Sequence, residues 1–394
     1  MNYEAIIIGG GVQGTAIAHY LTARGIKTAL LEKNGIAAGT SGRCDGNVLV
    51  ADKMPGFDSQ LNKLSQDLFP GISEEIGYDI HWTRKGSLTM VESDEELVLA
   101  GQFCQQLVDA GIPARMLDKK EIHDDEPNLS DHIPGGFEVA CDGSLNPMRL
   151  AHGLAYSIKK QGGAILTGHE VLNITQDPSA NHIVHTRQGR LKCQYLICAA
   201  GVWSPAIGAM LDIDIPVRPR QGQILVSERT RYVARRKLTE FGYLAAKFEQ
   251  KNYRRKVTPE MEEFGIATVF EPTREGNFLI GSSRRFAGID VTSDSRVLRA
   301  LAQRAIQYLP VIKDINVIRS YAGVRPYTPD HQPIISETEI PGFYVATGHE
   351  GDGIGLSLIT GKLISQMICG EPCSIDVKPL HLSRFKGQAS LWDH

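Results

Sequence analysis

Three glycines near the start of the chain carry the first chemistry. Gly9, Gly11 and Gly14 have G-x-G-x-x-G spacing, follow the apolar run Ala5-Ile6-Ile7-Ile8, and precede a helical pattern that starts near Val12. The first glycine permits a tight turn, the second lets a pyrophosphate approach the backbone, and the third lets helix and strand pack closely. The phosphates then rest on the positive end of the helix. A second apolar run, Thr28-Ala29-Leu30-Leu31, ends at Glu32, where a ribose hydroxyl needs an acceptor. Strand, glycines, helix, second strand and terminal acid within about 30 residues predict a dinucleotide-binding unit.

The elements that must position this cradle are distributed along the whole chain. At 394 residues two domains are the expectation. Residues 1–80, 142–216 and 318–394 read as a discontinuous nucleotide-binding domain, with a helix over Pro147–Lys160 whose Leu150, Leu154 and Ile158 share a face, and strands at Ala164–Leu166 and Tyr195–Cys198. Residues 81–141 and 217–317 read as an inserted second domain. Their alternating stretches (Ser87–Val91, Gly222–Val226) predict an antiparallel sheet, and Ser295–Leu309 predicts an amphipathic helix. The expected fold class is therefore α/β, a Rossmann-like domain carrying an antiparallel-sheet insertion.

Composition narrows the function classes. The chain is 42% apolar and 22% charged, with a net charge of −3, which gives no general attraction to nucleic acid or anionic membrane. A strand begins within four residues of Met1, which leaves no room for a signal peptide, and no apolar stretch is long enough to span a bilayer, so a cytoplasmic protein is expected. Seven scattered cysteines argue against disulfides and against an iron–sulfur cluster on this chain, and no metal ligand set stands out.

Four blocks, in order, resemble flavoproteins of the D-amino-acid oxidase and glycine oxidase family over nearly the full length. They are Gly9-x-Gly11-x-x-Gly14 with Glu32; Gly39-Thr40-Ser41-Gly42-Arg43-x-x-Gly46; Cys198-Ala199-Ala200-Gly201-Val202-Trp203-Ser204 with Pro219–Gln223; and Tyr321–Asp330 with Gly348-His349-Glu350-Gly351-Asp352-Gly353-Ile354-Gly355-Leu356. The resemblance implies FAD held in a glutathione-reductase-type domain, with contacts from Gly9, Gly11, Val12, Gln13, Gly14, Glu32, Lys33, Thr40, Ser41, Arg43, Gly46, Val171, Ala200, Gly201, Trp203, Arg325, Gly351, Gly353 and Ile354. A permanently held flavin needs contacts along its whole length, which one cradle does not give. The Gly-His-Glu-Gly form of the last block is similar to the catalytic beta subunits of heteromeric amine dehydrogenases: hydroxyproline and proline dehydrogenases, opine oxidases, hydrogen cyanide synthase and sarcosine oxidase. Such chains work beside smaller subunits holding an iron–sulfur cluster or a second flavin, FMN.

The implied reaction is oxidation of an amino or imino acid by hydride transfer to flavin, which does not require a dedicated base. Arg325 is expected on the substrate carboxylate, because a guanidinium fork suits two carboxylate oxygens; the alternative is a structural ion pair. His349 and Glu350 are expected to shape the pocket at the flavin or hold the substrate amine, against simple loop hydrogen bonding. Tyr243, Tyr253 and Tyr321 are candidates to line or close the pocket, against core packing, and His81 and Trp82 read as packing residues. The basic runs Arg229–Lys237 and Lys251–Lys256 read as solvated faces or as a dock for a partner subunit, with Arg254, Arg255 and Lys256 as contacts. Three other readings stay open: a self-contained oxidase that makes hydrogen peroxide, a non-catalytic FAD-bearing scaffold subunit, and a nicotinamide-dependent dehydrogenase.

Overall fold

The computed structural model describes residues 2–247, 255–387 and 392. The first apolar run forms strand Ala5–Ile8 at the centre of a six-stranded sheet, between Tyr195–Cys198 and Thr28–Glu32, all three parallel. Ala164–Thr167 flanks one side, and Phe343–Thr347 and then Ile334–Glu337 the other, the last strand alone running antiparallel. The run is continuously apolar because both faces of the strand are covered. Ala5 and Ile7 pack toward helices Val12–Ala23 and Ser357–Cys369 through Ile17, Leu21, Ile359 and Leu363. Ile6 and Ile8 pack toward a three-stranded antiparallel sheet, residues 171–193, through Ile174, Val184 and Leu191. The helix Pro147–Lys160 buries the expected face, Leu150, Leu154 and Ile158.

The second sheet has eight strands, in the order Val317–Tyr327, Arg218–Ser227, Phe278–Gly281, Val269–Pro272, Lys237–Glu240, Ser87–Val91, Gly135–Val139, Ala114–Asp118. It is antiparallel except where Lys237–Glu240 meets Ser87–Val91 in parallel. Those two strands come from different insertions, so no hairpin dictates their direction. Residues 318–327, grouped by sequence with the nucleotide-binding stretches, belong to this sheet: Val317–Tyr327 pairs with Arg218–Ser227 along its whole length. The helix Ser295–Tyr308 covers the sheet with Val297, Leu301 and Ala305 against Leu225, Leu238, Phe270 and Ile280.

A buried ion network pins that helix. Arg304 donates to Glu240 at 2.8 Å and to Glu92 at 2.5 Å, and Arg255 also pairs with Glu240, which is fully buried. Burial raises the carboxyl of Glu240, but Arg255 and Arg304 outweigh it and hold the group below its ordinary value. Arg255 is therefore folded inward rather than presented to a partner. Arg236 is likewise engaged, with Asp125 and Glu138. Tyr253 and Arg254 lie outside the described residues. Trp82 stacks on Phe69, ring centres 5.3 Å apart, as a packing residue does. Among the described residues no helix is long and apolar enough to cross a membrane.

Candidate functional site

A cavity of about 410 Å³ runs from the carboxyl end of the central strand to the second sheet. This is where a parallel sheet binds ligands, because neighbouring crossovers leave the strand ends in opposite directions. Gly9, Gly11, Val12, Gln13, Glu32, Lys33, Thr40, Ser41, Arg43, Val171, Ala200, Gly201, Trp203, Arg325, His349, Glu350, Gly351, Gly353 and Ile354 all line it. Four of the blocks separated in sequence thus meet in one space.

The glycine turn is built to close tolerances. A side chain at Gly9 would start 2.4 Å from the Ala199 carbonyl oxygen, and one at Gly14 would start 1.9 Å from that of Gly9. Gly14 does not line the cavity; it lets helix and strand touch. Glu32 accepts the Gly10 amide at 2.7 Å and the Asn34 amide at 2.7 Å, so its carboxylate also holds the loop in shape. Ser41 Oγ accepts the Val12 amide at 3.0 Å and joins the second block to the helix start. Lys33 Nζ sits 4.0 Å from the ring centre of Trp203.

At the far end, Arg325 lies on the strand Val317–Tyr327, opposite Arg220 of its neighbour. A side chain at Gly222 would start 2.3 Å from the Arg325 guanidinium, so glycine there lets it lie flat over the sheet. Arg325 Nη1 donates to the Ser283 carbonyl at 3.0 Å, and among the described residues it forms no salt bridge. Burial, and next the nearby charge of Arg284, lower its affinity for a proton.

Three expected residues fall elsewhere. Tyr321 and Arg325 sit four residues apart on one strand face, yet Tyr321 opens on a neighbouring cavity. The divider is the loop at Arg43: its carbonyl oxygen would lie 2.3 Å from a side chain at Gly323, so the loop crosses the strand between the two. The Tyr321 hydroxyl donates to the Cys44 carbonyl at 3.1 Å. Gly46 also lines that second cavity and donates its amide to Glu271 at 2.9 Å, and Gly14 is the closed contact described above.

His349 and Glu350 border the main cavity but are committed to the protein. His349 Nε2 pairs with Thr360 Oγ1 at 3.0 Å, and burial pushes the imidazole down to about 3, so it is neutral across the physiological range. Glu350 forms an ion pair with the buried Arg220 and adopts a left-handed φ of 45°. Tyr243 lines the cavity as expected.

A buried triad was not foreseen: Lys53 pairs with Asp52 at 2.5 Å and Asp352 at 2.6 Å, and all three border the cavity. Burial pulls Lys53 down, but Asp352 and Asp52 outweigh it and hold it well above its ordinary value. Glu271, buried beside the site, was also missed. Burial pushes its carboxyl from 4.5 up to about 8, with Asp45 acting the same way. The folded protein then keeps a proton that the unfolded chain releases, so stability should fall as pH rises from 4.5 to 8. Denaturant unfolding at the two ends of that window should show the loss, and Glu271→Gln should flatten it.

The family follows from the comparisons. Residues 4–367 match the model of the FAD-dependent oxidoreductase family that includes D-amino-acid oxidase. The chain belongs to that family. It is 27% identical to hydrogen cyanide synthase subunit HcnC of Pseudomonas aeruginosa, over 98% of this chain and 96% of the relative. It is 28% identical to glycine oxidase of Geobacillus kaustophilus, over 99% of both. The crystal structure of glycine oxidase from that organism superposes with a TM-score of 0.87, at 26% identity, covering 97% of this chain and 99% of the other.

The residues present fit FAD. The helix Val12–Ala23 has no side-chain cap of its own and no acidic residue in its first turn, which leaves its positive end suited to a pyrophosphate. Gln13 Oε1 and Asn47 Oδ1 are buried at the cavity without a hydrogen-bond partner, although buried polar atoms are normally paired.

Proposed function

We propose that the chain oxidises the C–N bond of an amino or imino acid of the hydroxyproline, proline, opine or sarcosine type, as the catalytic subunit of a heteromeric dehydrogenase. The observation that carries the reading is Arg325: a guanidinium without a salt bridge among the described residues, on the wall of a cavity whose other end is the glycine cradle. When bound, FAD supplies a two-electron acceptor for the hydride that leaves the carbon bearing nitrogen. Gly9, Gly11, Val12, Gln13, Glu32, Ser41, Arg43, Gly351, Gly353 and Ile354, which line the cavity, would hold it. Arg325 grips the substrate carboxylate and so fixes which bond faces the acceptor. His349, hydrogen bonded to Thr360, shapes the wall and carries no positive charge at neutral pH. Glu350 serves Arg220 rather than the substrate. Neither His349 nor Glu350 is therefore the group that takes a proton from the substrate amine, and the imine product is released to water.

Support for a heteromeric setting is the likeness to HcnC, which is named as a subunit. The equal likeness to glycine oxidase favours a second reading, a self-contained oxidase that makes hydrogen peroxide. Protein co-expressed with its genomic neighbours should co-purify with smaller subunits and bleach anaerobically with one of the amino or imino acids above. Rapid oxygen consumption by the isolated chain would move the conclusion to the oxidase. Failure of every amino and imino acid to bleach the flavin would overturn both and leave the scaffold subunit.

A further inference from the structure

Among the described residues six carboxylates line the main cavity, and the protein engages five of them itself. Glu32 accepts the amides of Gly10 and Asn34. Asp52 and Asp352 hold Lys53, Glu170 meets Arg187 at 3.1 Å, and Glu350 meets Arg220. The sixth, Asp45, forms no hydrogen bond and no ion pair among the described residues, although it is only half-exposed. Arg43 and Lys237 line the same cavity, and neither pairs with it. A carboxylate kept partly from water is normally given a partner by the protein.

The backbone on both sides of Asp45 is braced against the second sheet. Thr40 donates its hydroxyl to the Val324 carbonyl at 2.6 Å, and the Arg43 carbonyl packs on Gly323. The Cys44 carbonyl accepts from Tyr321 at 3.1 Å, and the Gly46 amide donates to Glu271 at 2.9 Å. The loop therefore lies across strand Val317–Tyr327 over residues 321–324 and brings Asp45 to the wall of the cavity where Arg325 stands. Arg325 is fixed as well, flat over Gly222 and bonded to the Ser283 carbonyl at 3.0 Å. The two opposite charges face one cavity, and Asp45 acts on Arg325 without closing into an ion pair with it. Each is anchored on its own side, so the gap between them persists.

We propose that Asp45 binds the substrate nitrogen: its carboxylate accepts the N–H groups of the amino or imino acid while Arg325 holds the acid's carboxylate. This rests on the reading of the site given above and adds the second anchor to it. An amino acid is the dipole complementary to this pair, with negative charge toward the guanidinium and N–H toward the carboxylate. Two anchors fix the direction of the C–N bond and hence which side of the reacting carbon is presented. They also discriminate. An acid with oxygen in place of nitrogen brings no N–H and sets a lone pair against the Asp45 carboxylate.

The test separates binding from reaction. The FAD-loaded complex is first reduced with dithionite, so that nothing turns over, and binding is measured by calorimetry. Glycine, N-methylglycine and proline are compared with their oxygen counterparts glycolate, methoxyacetate and tetrahydrofuran-2-carboxylate. At least one amine should bind about tenfold or more tighter than its counterpart. That ratio should fall toward one in Asp45→Asn and be partly kept in Asp45→Glu, while the oxygen acids, which need Arg325 alone, bind Asp45→Asn no more weakly than the parent. Damage to the fold would weaken both series together and leave the ratio in place. Equal binding of amine and oxygen acid, binding of no amine, or a preference that survives Asp45→Asn would overturn the proposal. If the preference depends on Asp45 but no amine bleaches the oxidised flavin, the nitrogen anchor stands and the amine-oxidation reading falls. If amines bleach the flavin and the preference ignores Asp45, the oxidation reading stands and the anchor falls.

Discussion

Arg325→Met should lower the second-order rate of flavin bleaching by about a thousandfold while the protein still purifies yellow. A buried guanidinium that meets a carboxylate is worth about 2–5 kcal/mol when one partner is truncated, and each 1.4 kcal/mol or so is tenfold. The loss should fall on both binding and turnover, because the same contact fixes the orientation of the reacting carbon. Lysine at 325 should recover little: its ammonium is a point charge, and the flat fork over Gly222 is what the strand geometry accommodates. Gly222→Ala gives an independent check. Its new methyl would start 2.3 Å from the guanidinium and 2.6 Å from its central carbon, so Arg325 must move although its charge remains. The alanine variant should lose at least about tenfold, with added guanidinium unable to rescue it, whereas the methionine variant leaves space for such rescue. Full activity in Arg325→Met would remove the carboxylate anchor from the account.

The nucleotide-binding half was legible because its signals are local. The spacing of Gly9, Gly11 and Gly14, the position of Glu32 after a short strand, and the stripe of Leu150, Leu154 and Ile158 each depend on backbone geometry within one element. The misreadings have a common cause in contacts between distant segments. Lys53 carried no sequence signal, because its partner Asp352 arrives from 299 residues later and draws the pair inside. Arg255 looked like one of a solvated run until Glu240, 15 residues earlier, placed a buried carboxylate under it. Strand periodicity puts Tyr321 and Arg325 on one face, and that is true of the strand; the loop at Arg43 then divides the face into two cavities, guided by the missing side chain at Gly323.

Gly14→Ala should give a largely colourless protein. The added methyl would begin 1.9 Å from the Gly9 carbonyl oxygen, a backbone atom held in place by strand Ala5–Ile8 and the Gly9 amide bond to Leu31 at 2.8 Å. Neither side can yield by a rotamer change, so the helix Val12–Ala23 has to move away from the sheet. That shift costs about 1–3 kcal/mol as overpacking and widens the turn whose amides should receive the pyrophosphate. Flavin content per chain should fall at least about tenfold, together with a lower unfolding midpoint. Gly35→Ala is the matched control: it lies in the same nucleotide-binding stretch, a methyl there meets nothing within 4 Å, and flavin content should be unchanged. Because the first variant distorts the cradle without removing any charge or hydrogen-bonding side chain, normal flavin content in it would mean that the cofactor is held by the distal blocks, and that the glycine turn only packs the fold.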